Sequence, residues 1–200
     1  MQEPTILIQT QSENNTINSF LHKFIFDDTN LITRCIEESE NDLNVYPKII
    51  VYGKEVTQRR YVGFFSDESI GYKYSNKLAK SKPLTPHLIM MLHKINQLFN
   101  ANFNGILINK YNDGADYISP HSDDETNLDA IGVVSLSYGS TRTFRIRNKK
   151  TKKKFLDVQL QSNDLLLMGG NFQKEFTHEI PIQKSIRQPR ISFTFRKHVI

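Results

Sequence analysis

Apolar and polar positions change rhythm several times along the chain. Over the first 45 residues apolar side chains are scattered among Asn, Ser and Glu. There Phe20, Leu21, Phe24 and Ile25 fall at i, i+1, i+4 and i+5, which predicts one face of a short helix. From Pro47 onward short strand-like runs follow one another, KIIVYGKEV, RRYVGFF and SIGYKYS, so the sheet is expected to begin at this point. Thr85 then offers a cap and Pro86 a first helical position, and Leu88, Met91, Leu92, Ile95, Leu98 and Phe99 make one stripe of a long helix. Asn100, Asn102 and Gly105 end it. Both methionines of this segment, Met90 and Met91, read as core with the stripe, and His93 reads as surface. The remainder is almost wholly β: GILINKY, IGVVSLSY, TFRIRN, KFLDVQL, DLLLMGG and RISFTFRKH, with turns at 112–114, 148–150 and 169–171. Strands this short, with no helices between them, exclude βαβ folds and predict a sandwich or a double-stranded barrel.

Composition narrows the class. The chain has 200 residues, enough for one domain with a real core, and its single cysteine, Cys35, has no partner, which excludes a disulfide-stapled scaffold. Neither a signal peptide nor an apolar run long enough to span a membrane is present, so an intracellular, soluble protein is expected. Lys and Arg number 26 against 21 Asp and Glu, a net charge of +5. That excess is compatible with a polyanionic partner without demonstrating one. The one low-complexity stretch is basic, from Lys149 to Lys154.

Candidate chemistry starts with His121 and Asp123, two apart in an extended segment and so on one face of it. His178 follows after several strands. Two imidazoles and one carboxylate form the facial triad of non-haem Fe(II) oxygenases, and the same ligands also suit a hydrolytic zinc ion. The last strand separates these readings from a chance H-x-D pair. In RISFTFR, Ile191, Phe193 and Phe195 alternate with Ser192 and Thr194, and Arg190 and Arg196 sit at the two ends of the polar face. At most about 20 Å of backbone parts these arginines, so bent inward they bracket a small molecule. A dicarboxylate is the natural occupant, because guanidinium pairs with carboxylate through two parallel hydrogen bonds.

With these residues in view the sequence resembles the AlkB family of Fe(II)- and 2-oxoglutarate-dependent dioxygenases. The resemblance is carried by NKYNDGADYISPHSDDE at 109–125, His178 in THEIP, and PRISFTFR at 189–196, and covers roughly residues 47–197. It implies an α+β, mainly β fold: a double-stranded β-helix, or jelly-roll, core with an N-terminal helical or hairpin extension and one long supporting helix. Residues 1–46 would be the extension, 47–84 nucleotide-recognition lid hairpins, and 85–200 the helix and dioxygenase core. It further implies that His121, Asp123 and His178 hold Fe(II), that Asn109 and Tyr111 hydrogen-bond 2-oxoglutarate, and that Arg190 pairs with its distal carboxylate. Arg196 matches the second arginine near the metal-proximal end, and Asp124 matches a contact to a flipped base. O₂ would be the other cosubstrate, and the product an unmodified base.

A methyl on the Watson–Crick edge is out of reach while a base is stacked, so aromatic residues must receive a flipped or single-stranded nucleotide. GYKYSN resembles the family's base-binding lid, with Tyr74 expected to stack on the base opposite His121 and Tyr72 to add a hydrogen bond. VYGKEV at 51–56 resembles the wedge hairpin of the duplex-DNA branch. There Tyr52 would fill the gap left by the flipped base, Lys54 would meet a phosphate, and Arg59 or Arg60 would steady the orphaned partner base. That branch carries a basic triplet before the last strand, whereas this chain has Gln183, Lys184 and Ser185, leaving Lys184 alone to contact DNA. The expectation is therefore a monomeric oxidative demethylase of 1-methyladenine and 3-methylcytosine in DNA, preferably duplex. RNA, single-stranded DNA, a protein or small-molecule substrate, and a non-enzymatic nucleic-acid binder stand as alternatives.

Overall fold

The chain starts with a hairpin that joins the main sheet. In the computed structural model, which describes residues 3–12, 16–51, 53–69, 71–74, 77–123 and 131–198 (backbone alone for 72–74 and 77–79), strand β1 is Thr5–Gln11 and β2 is Ile17–Ile25. The helix expected over Phe20–Ile25 is thus a strand, and the sheet begins at Thr5 instead of near Pro47. The reason is two-sided burial. Phe20 and Phe24 pack against the core under the helices while Leu21 enters the core on the opposite face, so the apolar positions lose strict alternation and imitate a helical stripe. The N-terminal helix lies just beyond: α1, Thr29–Ser39, starts where Asp28 Oδ1 accepts a hydrogen bond from Leu31 N at 3.0 Å.

Next comes an isolated hairpin, β3 (Lys48–Val51) and β4 (Lys54–Thr57), whose register pairs Val51 with Lys54. Gly53 in its two-residue turn has φ +76°, a conformation costly for any residue with a Cβ. Strand β5 (Tyr61–Phe65) is followed by a second hairpin, β6 (Gly71–Tyr74) and β7 (Lys77–Lys80). Helix α2, Pro86–Phe99, matches the sequence reading: Thr85 caps it, Asn100 closes it with φ 48°, and Leu88, Met91, Leu92, Ile95 and Phe99 are buried. Met90 differs from expectation. It is 57% exposed while Met91 is fully buried, because neighbours on a helix point about 100° apart.

The remaining strands are β8 (Gly105–Tyr111), β9 (Ile118–His121), β10 (Val133–Gly139), β11 (Arg142–Asn148), β12 (Lys154–Leu160), β13 (Asp164–Gly170), β14 (Phe176–Ile180) and β15 (Arg190–Arg196), with the short helix α3 (Phe172–Glu175) before β14. They form two facing antiparallel layers. One runs β1-β2-β13-β10-β15-β8-β5 and the other β12-β11-β14-β9. The eight strands β8–β15 divide four and four between these layers, which is the jelly-roll. The outer face of the larger layer carries Ile106, Ile108, Val134, Leu136, Leu165, Leu167, Ile191, Phe193 and Phe195, sealed by α1 and α2. A second core, with Phe144, Ile146, Leu166, Met168 and Phe176, fills the space between layers beside the site described next.

Candidate active site

Strict alternation along β15 builds one wall of a cavity between the layers. Its odd-numbered residues enter the helix-side core, and Arg190, Ser192, Thr194 and Arg196 line the cavity. Antiparallel register sets Arg190 opposite Tyr111 and Ser192 opposite Asn109, so β8 adds Leu107, Asn109 and Tyr111 to the same wall. About 520 Å³ of space, open solvent at the mouth included, lies between these walls.

At one end the smaller layer brings the predicted metal ligands together. His121 ends β9 and is the direct cross-strand partner of His178 on β14, with ring centroids 4.3 Å apart. With Asp123 they form a group whose ligand atoms lie within 4.8 Å of one another. His178 Nε2 is 3.5 Å from Asp123 Oδ2, while Asp123 Oδ1 accepts a hydrogen bond from Arg196 Nη2 at 3.0 Å. His121 Nδ1 is 2.9 Å from the Ser119 carbonyl, a contact that fixes the tautomer and leaves Nε2 with its lone pair. Phe144 stacks on His178 at 5.1 Å.

The electrostatics suit a divalent cation. Burial pushes both imidazoles down, His178 to about 3 with His121 adding to the effect, so they are neutral near pH 7 as ligands must be. Burial alone would raise the Asp123 carboxyl, but Arg196, His178 and His121 hold it well below the usual carboxylate range. Two neutral nitrogens and one ionised oxygen on one side of an ion are the donor set of an open Fe(II) site.

The other end is cationic. Arg190 is 3% exposed; its Nη2 donates to Ser137 Oγ at 2.7 Å, and its Nε and Nη1 have no hydrogen-bond partner among the described residues. Burial lowers its pKa to about 10, and the Tyr111 phenol beside it favours the charged form. A buried guanidinium with two unused donors fits a carboxylate ligand.

The other sequence-predicted residues divide by location. Arg60, expected on the DNA-facing surface, is instead 4% exposed within the cavity wall and donates from Nε to Asn109 Oδ1 at 2.8 Å. Its place just before β5, paired alongside β8, turns it inward. Arg59 points the other way, about half exposed, over the Tyr46 ring at 5.1 Å and 3.8 Å from Asp116. Lys54 and Lys184 are exposed. Tyr72 and Tyr74 lie two apart on β6, and Tyr52 and Asp124 lie outside the described residues.

Sequence reading missed Gln173. It sits on α3, buried, and its Oε1 accepts the Asp123 backbone N–H at 2.9 Å while its carbonyl accepts from Lys149 Nζ at 2.7 Å. It therefore fixes the backbone of a metal ligand and anchors the basic β11–β12 turn beside it. No motif marks this glutamine; only its position five residues before His178 hints at it.

Comparison with known proteins agrees with this geometry. The sequence profile of the 2OG-Fe(II) oxygenase superfamily matches residues 18–196. DNA oxidative demethylase ALKBH2 of Mus musculus is 31% identical over 170 residues, covering 80% of this chain and 71% of that protein. Alpha-ketoglutarate-dependent dioxygenase alkB homolog 3 of Mus musculus is 35% identical over 135 residues, 62% of this chain and 47% of that protein. The match spans 61% of the bovine ALKBH2 and 65% of the human one. Among solved structures, the structure of OsALKBH1 superposes with a TM-score of 0.55 at 16% identity, covering 89% of this chain and 96% of that one, and so shares the fold. Among the described residues no helix is long and apolar enough to cross a membrane.

Proposed function

The chain belongs to the 2OG-Fe(II) oxygenase superfamily and, within it, to the AlkB family, and from that premise we propose that it is an oxidative demethylase of N-alkylated nucleobases in DNA. The family's cofactor is Fe(II), its cosubstrates 2-oxoglutarate and O₂. The observation that carries the reading is the pairing of a His121–Asp123–His178 triad at one end of the cavity with an unsatisfied Arg190 guanidinium at the other. One end suits a metal and the other a carboxylate, and a small 2-oxo dicarboxylate joins them.

In this reading His121, Asp123 and His178 hold the ion. Arg190 binds the distal carboxylate with the donors left over from Ser137, and Asn109 and Tyr111 add hydrogen bonds along the ligand. Arg196 keeps Asp123 ionised and oriented at the metal-proximal end. Fe(II) with 2-oxoglutarate and O₂ supplies the oxidation: the N-methyl carbon becomes a hydroxymethyl group, which leaves as formaldehyde, while 2-oxoglutarate leaves as succinate and CO₂. The apolar shell of Leu107, Ile118, Phe144 and Met168 limits water around the reacting methyl.

The base arrives flipped, with Tyr74 stacking on it, Tyr72 adding a hydrogen bond and Asp124 on its edge. Tyr52, which follows β3 in the sequence, fills the vacated stack, and Lys54, Arg59 and Lys184 neutralise phosphates from exposed positions. The favoured lesions are 1-methyladenine and 3-methylcytosine.

The test is turnover of methylated oligonucleotides with Fe(II) and 2-oxoglutarate, following formaldehyde and succinate together. Equal yields of both from 1-methyladenine DNA, absent with unmethylated DNA and lost in His121→Ala, are expected. Succinate without base repair would reassign the protein to another substrate of the same chemistry. A selective loss on duplex DNA in Tyr52→Ala would establish the wedge, and equal wild-type rates on duplex and single strands would remove it.

A further inference from the structure

Behind the Arg190 end of the cavity, across the Tyr111 ring, lies a second buried cation. Arg142 opens β11 in register with the inward-facing Phe144 and Ile146, and it is fully buried. Its Nε donates to Gln183 Oε1 at 3.3 Å, its Nη1 to the Asp113 carbonyl at 2.9 Å, and its Nη2 to the carbonyls of Asp116 at 2.8 Å and Pro181 at 2.9 Å. Every acceptor is neutral. The nearby carboxylates are engaged elsewhere: Asp116 with Tyr46, the Asn112 N–H and Arg59, and Asp113 with the Ala115 N–H.

Arg142 and Arg190 share one neighbour. Their guanidinium carbons lie 5.6 Å and 5.3 Å from the centroid of the Tyr111 ring. Two buried cations thus contact one phenol ring, and neither has a salt bridge to a carboxylate among the described residues. Burial lowers the pKa of each, and the charge of Arg142 depresses Arg190 further. Like charges in a weakly polarisable interior repel, and an anion at the unused donors of Arg190 offsets the repulsion for both.

We propose that Arg142 is a positioning and selectivity residue for the cosubstrate, adding its charge through Tyr111 to the field that holds a distal carboxylate and so favouring a 2-oxo dicarboxylate over a 2-oxo monocarboxylate. Its hydrogen bonds also tie the 112–116 loop to the segment leading into β15. The Tyr111 and Arg190 ends of two strands are thereby fixed relative to each other. Gly114 is part of that lock, because a Cβ there would meet the Gln183 carbonyl oxygen at 1.7 Å. The inference rests on the proposed 2-oxoglutarate reading and extends it to a residue that does not touch the ligand.

The experiment is calorimetric titration of Mn(II)-loaded protein with 2-oxoglutarate and with 2-oxovalerate, which has the same carbon chain without the distal carboxylate. Arg142→Met is expected to weaken 2-oxoglutarate about tenfold and 2-oxovalerate less than about twofold. In turnover its KM for 2-oxoglutarate rises while kcat at saturation holds. Arg142→Lys, which keeps the cation, recovers most of the loss. Should Arg142→Met fail to fold, Arg142→Gln, which keeps an amide donor and removes the charge, carries the same expectation. Equal loss for both ligands, or unchanged 2-oxoglutarate affinity, would overturn the inference and leave the dioxygenase reading standing. Wild-type protein that binds no 2-oxoglutarate would instead overturn that reading itself.

Discussion

Asp123 divides its carboxylate between two partners: Oδ1 accepts from Arg196 at 3.0 Å, and Oδ2 faces His178 Nε2 at 3.5 Å. Asp123 and Arg196 are 4% and 1% exposed, so neither charge has water as an alternative partner. Removing one member of such a pair strands the other, which costs about 3–5 kcal/mol. Metal-free Arg196→Met and Asp123→Asn are each expected to lose stability on that scale. The double variant should lose far less than the sum. Urea unfolding of the four proteins checks this, and additive losses would show that the pair is not coupled.

Helix α2 offers an internal comparison. Met91→Ala empties a fully buried position and should cost about 2–5 kcal/mol. Met90→Ala, at a position 57% exposed, should change stability by less than about 0.5 kcal/mol. Thermal unfolding of both variants reads the difference, and comparable losses would contradict the assigned helix face.

The contrast between these methionines illustrates which features were legible in the sequence. Regular periods were readable: the α2 stripe and the alternation in β15 led to the cores they fill and the cavity they line. The three metal ligands were readable because their residue types and the H-x-D spacing carry the chemistry. Strand β2 was misread because burial on both faces removes the period of two that identifies a strand. Arg59 and Arg60 read alike as candidates to steady the orphaned base, yet one step along an extended chain reverses the side-chain direction and Arg60 turns into the cavity wall. Arg142 left a usable sign: in RTFRIRN it shares a face with Phe144 and Ile146, so an arginine in an inward register was visible before any contact was known. Gln173 left only its closeness to His178 in the sequence, since its role depends on where α3 lies relative to Asp123.

Cys35 gives a pH-dependent test of the helix-side core. Burial, with Glu38 and Asp28 adding, raises its thiol pKa from 9.0 to about 12. The folded state therefore favours the neutral thiol. Its contribution to stability is complete below pH 9.0 and is lost as pH rises toward 12. At about pH 8.5 iodoacetamide should leave the native protein unmodified and alkylate it rapidly in denaturant. Rapid alkylation of the native protein would show that α1 and α2 open readily.

The claim that the site oxidises the methyl group of a nucleobase is tested most directly by following that carbon. A DNA oligonucleotide bearing one 1-methyladenine with an isotope-labelled methyl is incubated with the protein, Fe(II), 2-oxoglutarate and O₂, and the label is traced by mass spectrometry. The account predicts that the label leaves as formaldehyde in step with succinate and that the base returns as adenine, with no release in Asp123→Ala. Succinate accumulating while the label stays on the base would contradict it.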